Sequence, residues 1–187
     1  MRRHIGSALV ITLLVAGCGT TADDAGGVQA SLTVTSDDFA NGTELPAWAT
    51  ANALGGQCTG DNTNPELTWE SPSAATEGFA LTLIDPDAHN FVHWMLADIP
   101  ASTTAIARGG SDAVSGVGGK SSLSSTYDGT YFGPCPPGPD HHYVFTLYAL
   151  DAPLNLEQGF SLADLKDAMR GHVLAEGALT GLRSGPA

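Results

Sequence analysis

Five short runs, residues 32–35, 67–69, 79–84, 91–96 and 143–148, are rich in β-branched and aromatic side chains and are bounded by turn formers. A run of that length and composition reads as a strand. The runs are too many and too closely spaced for alternating strands and helices, which restricts the chain to a β architecture. One helix stands out: Ser161 is an N-cap, Asp164 follows three residues later, Leu162, Leu165 and Met169 share a face, and Gly171 ends it. A last strand is expected within residues 173–179. The predicted fold is mainly β, an antiparallel two-sheet sandwich or Greek key with one or two short helices on its flank.

The N-terminus is of a different kind. Arg2 and Arg3 precede an apolar run over residues 5–16, and the small residues Ala16 and Gly17 stand just before Cys18. This is the pattern of a secretory signal peptide, and the run falls short of the roughly 20 apolar residues that a spanning helix needs. Val15-Ala16-Gly17-Cys18 resembles the bacterial lipobox, whose cysteine becomes the acylated first residue of the mature chain; an ordinary signal peptide with a chance cysteine has the same outline. Residues 1–17 are therefore expected to be a lipoprotein signal peptide. Residues 18–30, small and polar with no hydrophobic period, are expected to be a flexible tether, and residues 31–187 one domain with its own core. The mature protein would lie outside the cytoplasm, anchored to a bacterial membrane by lipid on Cys18.

Loss of Arg2 and Arg3 with the leader takes the formal net charge from −13 to −15. The cations that remain, Arg108, Lys120, Lys166, Arg170 and Arg183, are scattered along the chain. Nucleic acid is excluded as a partner on that ground, because neutralising phosphates takes a clustered basic surface. Two cysteines remain besides Cys18. In an oxidising compartment Cys58 and Cys135 are a disulfide candidate, with two buried thiols as the alternative.

Two stretches carry chemistry. Residues 133–139, GPCPPGP, form a loop stiffened by proline directly before a strand that opens with His141 and His142. Asp85-Pro86-Asp87 forms a turn whose carboxylates can accept from nearby backbone N–H groups, and the strand after it carries His93 and Trp94. Together with Cys58-Thr59-Gly60-Asp61-Asn62, Asn64-Pro65-Glu66-Leu67-Thr68-Trp69 and His172-Val173-Leu174-Ala175-Glu176-Gly177, in this order, they carry a resemblance. The chain resembles the phosphatidylethanolamine-binding protein family, in its bacterial Raf kinase inhibitor-like branch, over nearly all of the mature domain.

The resemblance implies a two-sheet β fold with a small pocket for phosphate-like anions, phospholipid head groups included. Carried over by motif, the pocket is lined by Asp85, Asp87, His93, Pro136, Pro137, His141 and Tyr143. The imidazoles and the Tyr143 hydroxyl are expected to donate to anionic oxygens, Asp85 to hold a ring tautomer or a ligand ammonium, and the proline loop to wall the site. His142 stands where the family places an arginine, so the site lacks a fixed positive charge and binding is expected to tighten as pH falls. No cofactor, metal or catalytic residue is assigned, and no protein partner is legible.

Plainer roles compete with these: His93 as a hydrogen-bonded core histidine, Asp85 and Asp87 as turn formers, His142 as an exposed residue. Three rival functions are also open. His89, His93, His141, His142, Asp85 and Asp87 are ligand types for zinc; an Asp and a His beside a pocket can do acid–base work; and members of the resembled family inhibit kinases or proteases through their surface.

Overall fold

The computed structural model describes residues 30–185, so the leader, Cys18 and all of the tether but Ala30 lie outside the described residues. In chain order the elements are β1 (Ala30–Ser31), β2 (Val34–Thr35), β3 (Thr43–Glu44), β4 (Asn52–Ala53), β5 (Cys58–Thr59), β6 (Leu67–Trp69), β7 (Gly78–Asp85), β8 (Phe91–Pro100), β9 (Ala105–Ile106), β10 (Val117–Gly118), β11 (His141–Leu150), α1 (Leu162–Ala168) and β12 (Val173–Arg183). The main sheet runs β1-β12-β11-β7-β8-β10, and β3 also pairs with β12. A second sheet, β2-β6-β9, faces it, and β4 and β5 form a separate ribbon.

Alternation along β7 explains the layers. Phe79, Leu81 and Leu83 point to one side, where Val34, Leu67, Trp69 and Ile106 of the second sheet meet them in one core. Ala80 points to the other side, into a core closed by Phe160 and by Leu165 and Met169 of the helix segment. Leu165 is fully buried there, which is worth about 2 kcal/mol relative to leaving it in water. The helix starts where Ser161 and Asp164 form a reciprocal capping box, Asp164 N–H to Ser161 Oγ at 3.1 Å and Ser161 N–H to Asp164 Oδ2 at 2.8 Å.

Three expectations change. The four central strands are antiparallel, but β1 and β3 lie parallel to β12, so the main sheet is mixed. The run over 32–35 is not one strand: the Leu32 N–H bonds Glu176 O on the main sheet, while Val34–Thr35 pair with β6 in the second. The last strand reaches Arg183, past its expected end. Glycine permits that close packing, because a Cβ at Gly177 would run into the Leu32 carbonyl and one at Gly181 into the Leu45 side chain. Ala30, grouped with the tether by composition, already pairs with Ala175.

Strand β8 carries two irregularities. Val92 pairs with Ile84 and Trp94 with Leu83, so His93 is an extra residue opposite no partner. Further on, Ala97 and Asp98 together face the single Ala80, and Asp98 takes φ 52°. Bulges of this kind bend a strand and re-aim a side chain.

Candidate functional site

The site lies where the core-facing stripe runs out of hydrophobic residues. On β7 the stripe Phe79, Leu81, Leu83 ends in Asp85; on β11 the stripe Leu147, Phe145 continues outward as Tyr143 and then His141. His93 joins them from the bulge in β8. These four side chains line the base of a cavity of about 190 Å³, and Phe91, Phe132, Pro136 and Pro137 wall it. Leu123, 40% exposed, sits at its rim.

Asp85 is 2% exposed and its charge is compensated by hydrogen bonds. Its Oδ1 accepts from the backbone N–H of Asp87 at 2.9 Å and of Ala88 at 3.0 Å, which fixes the short 3-10 turn Pro86–Ala88. Its Oδ2 lies 2.7 Å from Nδ1 of His141, and the carboxylate also bonds the Tyr143 hydroxyl. Burial, followed by the Asp85 charge and that hydrogen bond, pushes the Tyr143 hydroxyl well above the ordinary tyrosine range.

His93 is 4% exposed, stacked on Phe132 at 5.6 Å and edge-on to Tyr143 at 5.1 Å. Its Nδ1 donates to the Phe132 carbonyl at 2.8 Å. Burial lowers its pKa to about 4, against the opposing pull of backbone hydrogen bonds at Phe132 and Gly133 and of the Asp85 charge, so the ring is neutral at physiological pH.

The proline wall is held from several sides. Cys58 and Cys135 form a disulfide with Cα atoms 5.7 Å apart. Asn62 clamps the loop from below, Oδ1 accepting the Gly133 N–H at 2.8 Å and Nδ2 donating to Tyr131 O at 3.0 Å. The Ala51 N–H bonds Pro134 O, and the Gly185 N–H bonds Gly138 O.

Six of the seven side chains carried over by motif line the cavity; Asp87 does not. It lies past the end of β7, half-exposed, where Oδ2 accepts both the backbone N–H and Nδ1 of His142 at 2.8 Å. It is therefore corrected from a pocket group to a clamp between turn and strand. His93 is corrected in role, since its one N–H is spent on protein and cannot reach an anion. Sequence reasoning missed Phe91 and Phe132, whose signal was their place within two residues of His93 and Gly133, and missed Asn62 as the clamp. Among the described residues no lysine or arginine lines the cavity. Among the described residues no three His, Cys, Asp or Glu side chains gather as a metal-ligand set.

The fold, a mixed β-sheet backed by a second sheet, is shared with known structures. The Escherichia coli protein YbcL, described as a new member of the mammalian PEBP family, superposes with TM-score 0.74 at 28% identity over 84% of this chain and all of its own. The phosphatidylethanolamine-binding protein homologue CT736 of Chlamydia trachomatis gives 0.73 at 26%, over 83% of this chain and 99% of its own. The family model for phosphatidylethanolamine-binding protein matches residues 35–184, and the chain belongs to that family. Among its relatives are a UPF0098 protein of Methanothermobacter thermautotrophicus, 40% identical over 67% of this chain and 85% of its own, and a Mycobacterium tuberculosis protein, LppC, that carries lipoprotein in its name, 40% identical over 68% of this chain and 60% of its own.

Proposed function

We propose that the protein is an extracytoplasmic lipoprotein that binds a small phosphate-type anion, free or as a lipid head group, in this cavity and does not transform it. The observation that carries the reading is the pairing of His141 with buried Asp85 at 2.7 Å. The carboxylate holds Nδ1–H as the donor on its side, and a proton on Nε2 makes an imidazolium whose Nε2–H is a charge-assisted donor to an anion. His93 and Tyr143 beside His141 are neutral, while the Asp87 carboxylate acts on it from the turn and Arg183 stands opposite it in the β11–β12 ladder. The family name supports a phosphate-bearing ligand, and the name of LppC supports an anchor at Cys18.

Binding without catalysis is favoured by what the lining offers. Among the described residues it contains no serine or threonine, its one cysteine is in the disulfide, and both Asp85 oxygens are already accepting hydrogen bonds. Hydrolysis would require a nucleophile beside a general base, and the His93 ring, whose pKa burial lowers to about 4, is a weak base.

Calorimetric titration of inorganic phosphate and of phosphoethanolamine at pH 5.5 and pH 8 tests the reading, with His141→Ala as the pocket variant and exposed His142→Ala as the control. Binding should be tighter at pH 5.5, and His141→Ala should lose about tenfold or more, as expected for one charged donor. No binding of either probe at either pH would reject the pocket as an anion site.

A further inference from the structure

Resting on that reading, we infer that the cavity selects an anion carrying a proton of its own, a singly protonated phosphate or phosphomonoester, over phosphodiesters and sulfates, because His93 meets the ligand as a hydrogen-bond acceptor. Every buried polar atom that meets the ligand has to find a partner. An imidazole has two nitrogens, and in the neutral ring one donates and the other accepts. The His93 donor is fixed: Nδ1–H points at the Phe132 carbonyl 2.8 Å away, and the ring is held there between Phe91, Phe132 and Tyr143. Nε2, the nitrogen left for the cavity, therefore carries a lone pair. Burial keeps the ring from gaining a second proton until about pH 4.

The rest of the base does not compensate. The Asp85 oxygens are taken by the N–H groups of Asp87 and Ala88, by His141 and by the Tyr143 hydroxyl. An anion oxygen placed against Nε2 would set two lone pairs face to face, whereas a P–OH would donate to it while the other phosphoryl oxygens accept from His141. A site built to pair a ligand hydroxyl rejects the analogue lacking it more strongly than an apolar wall rejects a missing methylene.

The comparison that isolates the proton is methyl phosphate against methyl sulfate at pH 5.5. Both are then mainly monoanions of nearly the same shape, and only the phosphate carries an acidic hydrogen. Dimethyl phosphate, a monoanionic diester without that hydrogen, represents the phospholipid linkage. Calorimetric titration of the wild-type protein should show methyl phosphate binding at least about tenfold more tightly than either of the others. In His93→Gln, whose amide can turn a donor toward the ligand, that ratio should shrink.

Methyl sulfate within threefold of methyl phosphate on the wild-type protein overturns the inference while leaving the anion pocket standing, and so does an unchanged ratio in a folded His93→Gln. Binding of none of the three defeats the pocket reading and this inference with it. Should His93→Gln not fold, the wild-type ratio decides by itself.

Discussion

Nδ1 of His141 and Oδ2 of Asp85 stand 2.7 Å apart on adjacent strands, and the same carboxylate holds the two backbone N–H groups of the turn that leads to β8. One buried carboxylate thus orients the His141 ring and shapes the cavity floor. Asp85→Asn preserves an oxygen for the turn and removes the charge. It should lower phosphate affinity at pH 5.5 by about tenfold while costing only about 1 kcal/mol in urea unfolding. Asp85→Ala orphans the turn as well and should cost roughly 1–3 kcal/mol. Equal affinity in wild type and Asp85→Asn would show that the Asp85–His141 pairing does not contribute to anion binding.

His93 makes stability depend on pH. Its folded pKa, about 4, lies below the ordinary 6.5, so the unfolded chain takes up a proton first as pH falls. Stability from this residue is present above pH 6.5 and is lost progressively between 6.5 and 4, by at most about 3 kcal/mol. Urea midpoints measured across that interval should fall, and the His93→Phe variant should flatten that part of the curve. A parallel fall in the variant would assign the acid sensitivity to other groups.

The Cys58–Cys135 bridge spans a sequence separation of 77 and ties the proline wall to β5. In the chain-entropy account a loop of that size contributes roughly 4 kcal/mol, an upper figure because strain is left out. Cys58→Ser with Cys135→Ser should lower stability toward that amount and weaken phosphate binding, since Pro136 and Pro137 follow Cys135 directly. Thiol titration of the denatured, unreduced protein should find neither sulfur free.

Acylation of Cys18 is tested in cells. Acyl chains contribute about 0.8 kcal/mol per buried CH₂, and two or more of them give stable anchoring where one does not. Cys18→Ser should move the protein from the membrane fraction to the soluble extracytoplasmic one and abolish incorporation of labelled fatty acid. Retention at the membrane in that variant would remove the anchor from the account.

The long strands and the helix were legible in the sequence because β7, β8 and β11 must bury side chains over six or more residues, and the Ser161–Asp164 box marks its own helix start. The parallel edges were not, since a two-residue strand such as β1 or β3 has no period to read. The reach of β12 to Arg183 was hidden for a related reason: Gly177 and Gly181 look like breaks until Leu32 and Leu45 are seen lying against them. At the site, residue types were readable and directions were not. Asp85 and Asp87 look alike in an Asp-Pro-Asp turn, and only the end of the strand separates the inward one from the outward one. The donor role expected of His93 failed because its tautomer is set by a carbonyl 39 residues away.

The two extra residues of β8 show that the ladder between β7 and β8 is complete without them. Val92 and Trp94 already have partners, as do Leu96 and Ile99; His93 projects into the cavity from between one pair, and Asp98, between the other, accepts the Leu154 N–H at 2.6 Å. His93 is in effect a guest in a hairpin that could close over its absence. The group offered to the cavity at this position can therefore change, or vanish, by losing or exchanging a single residue without rewriting the pairing of the sheet, so the scaffold and its cavity are free to evolve on separate clocks.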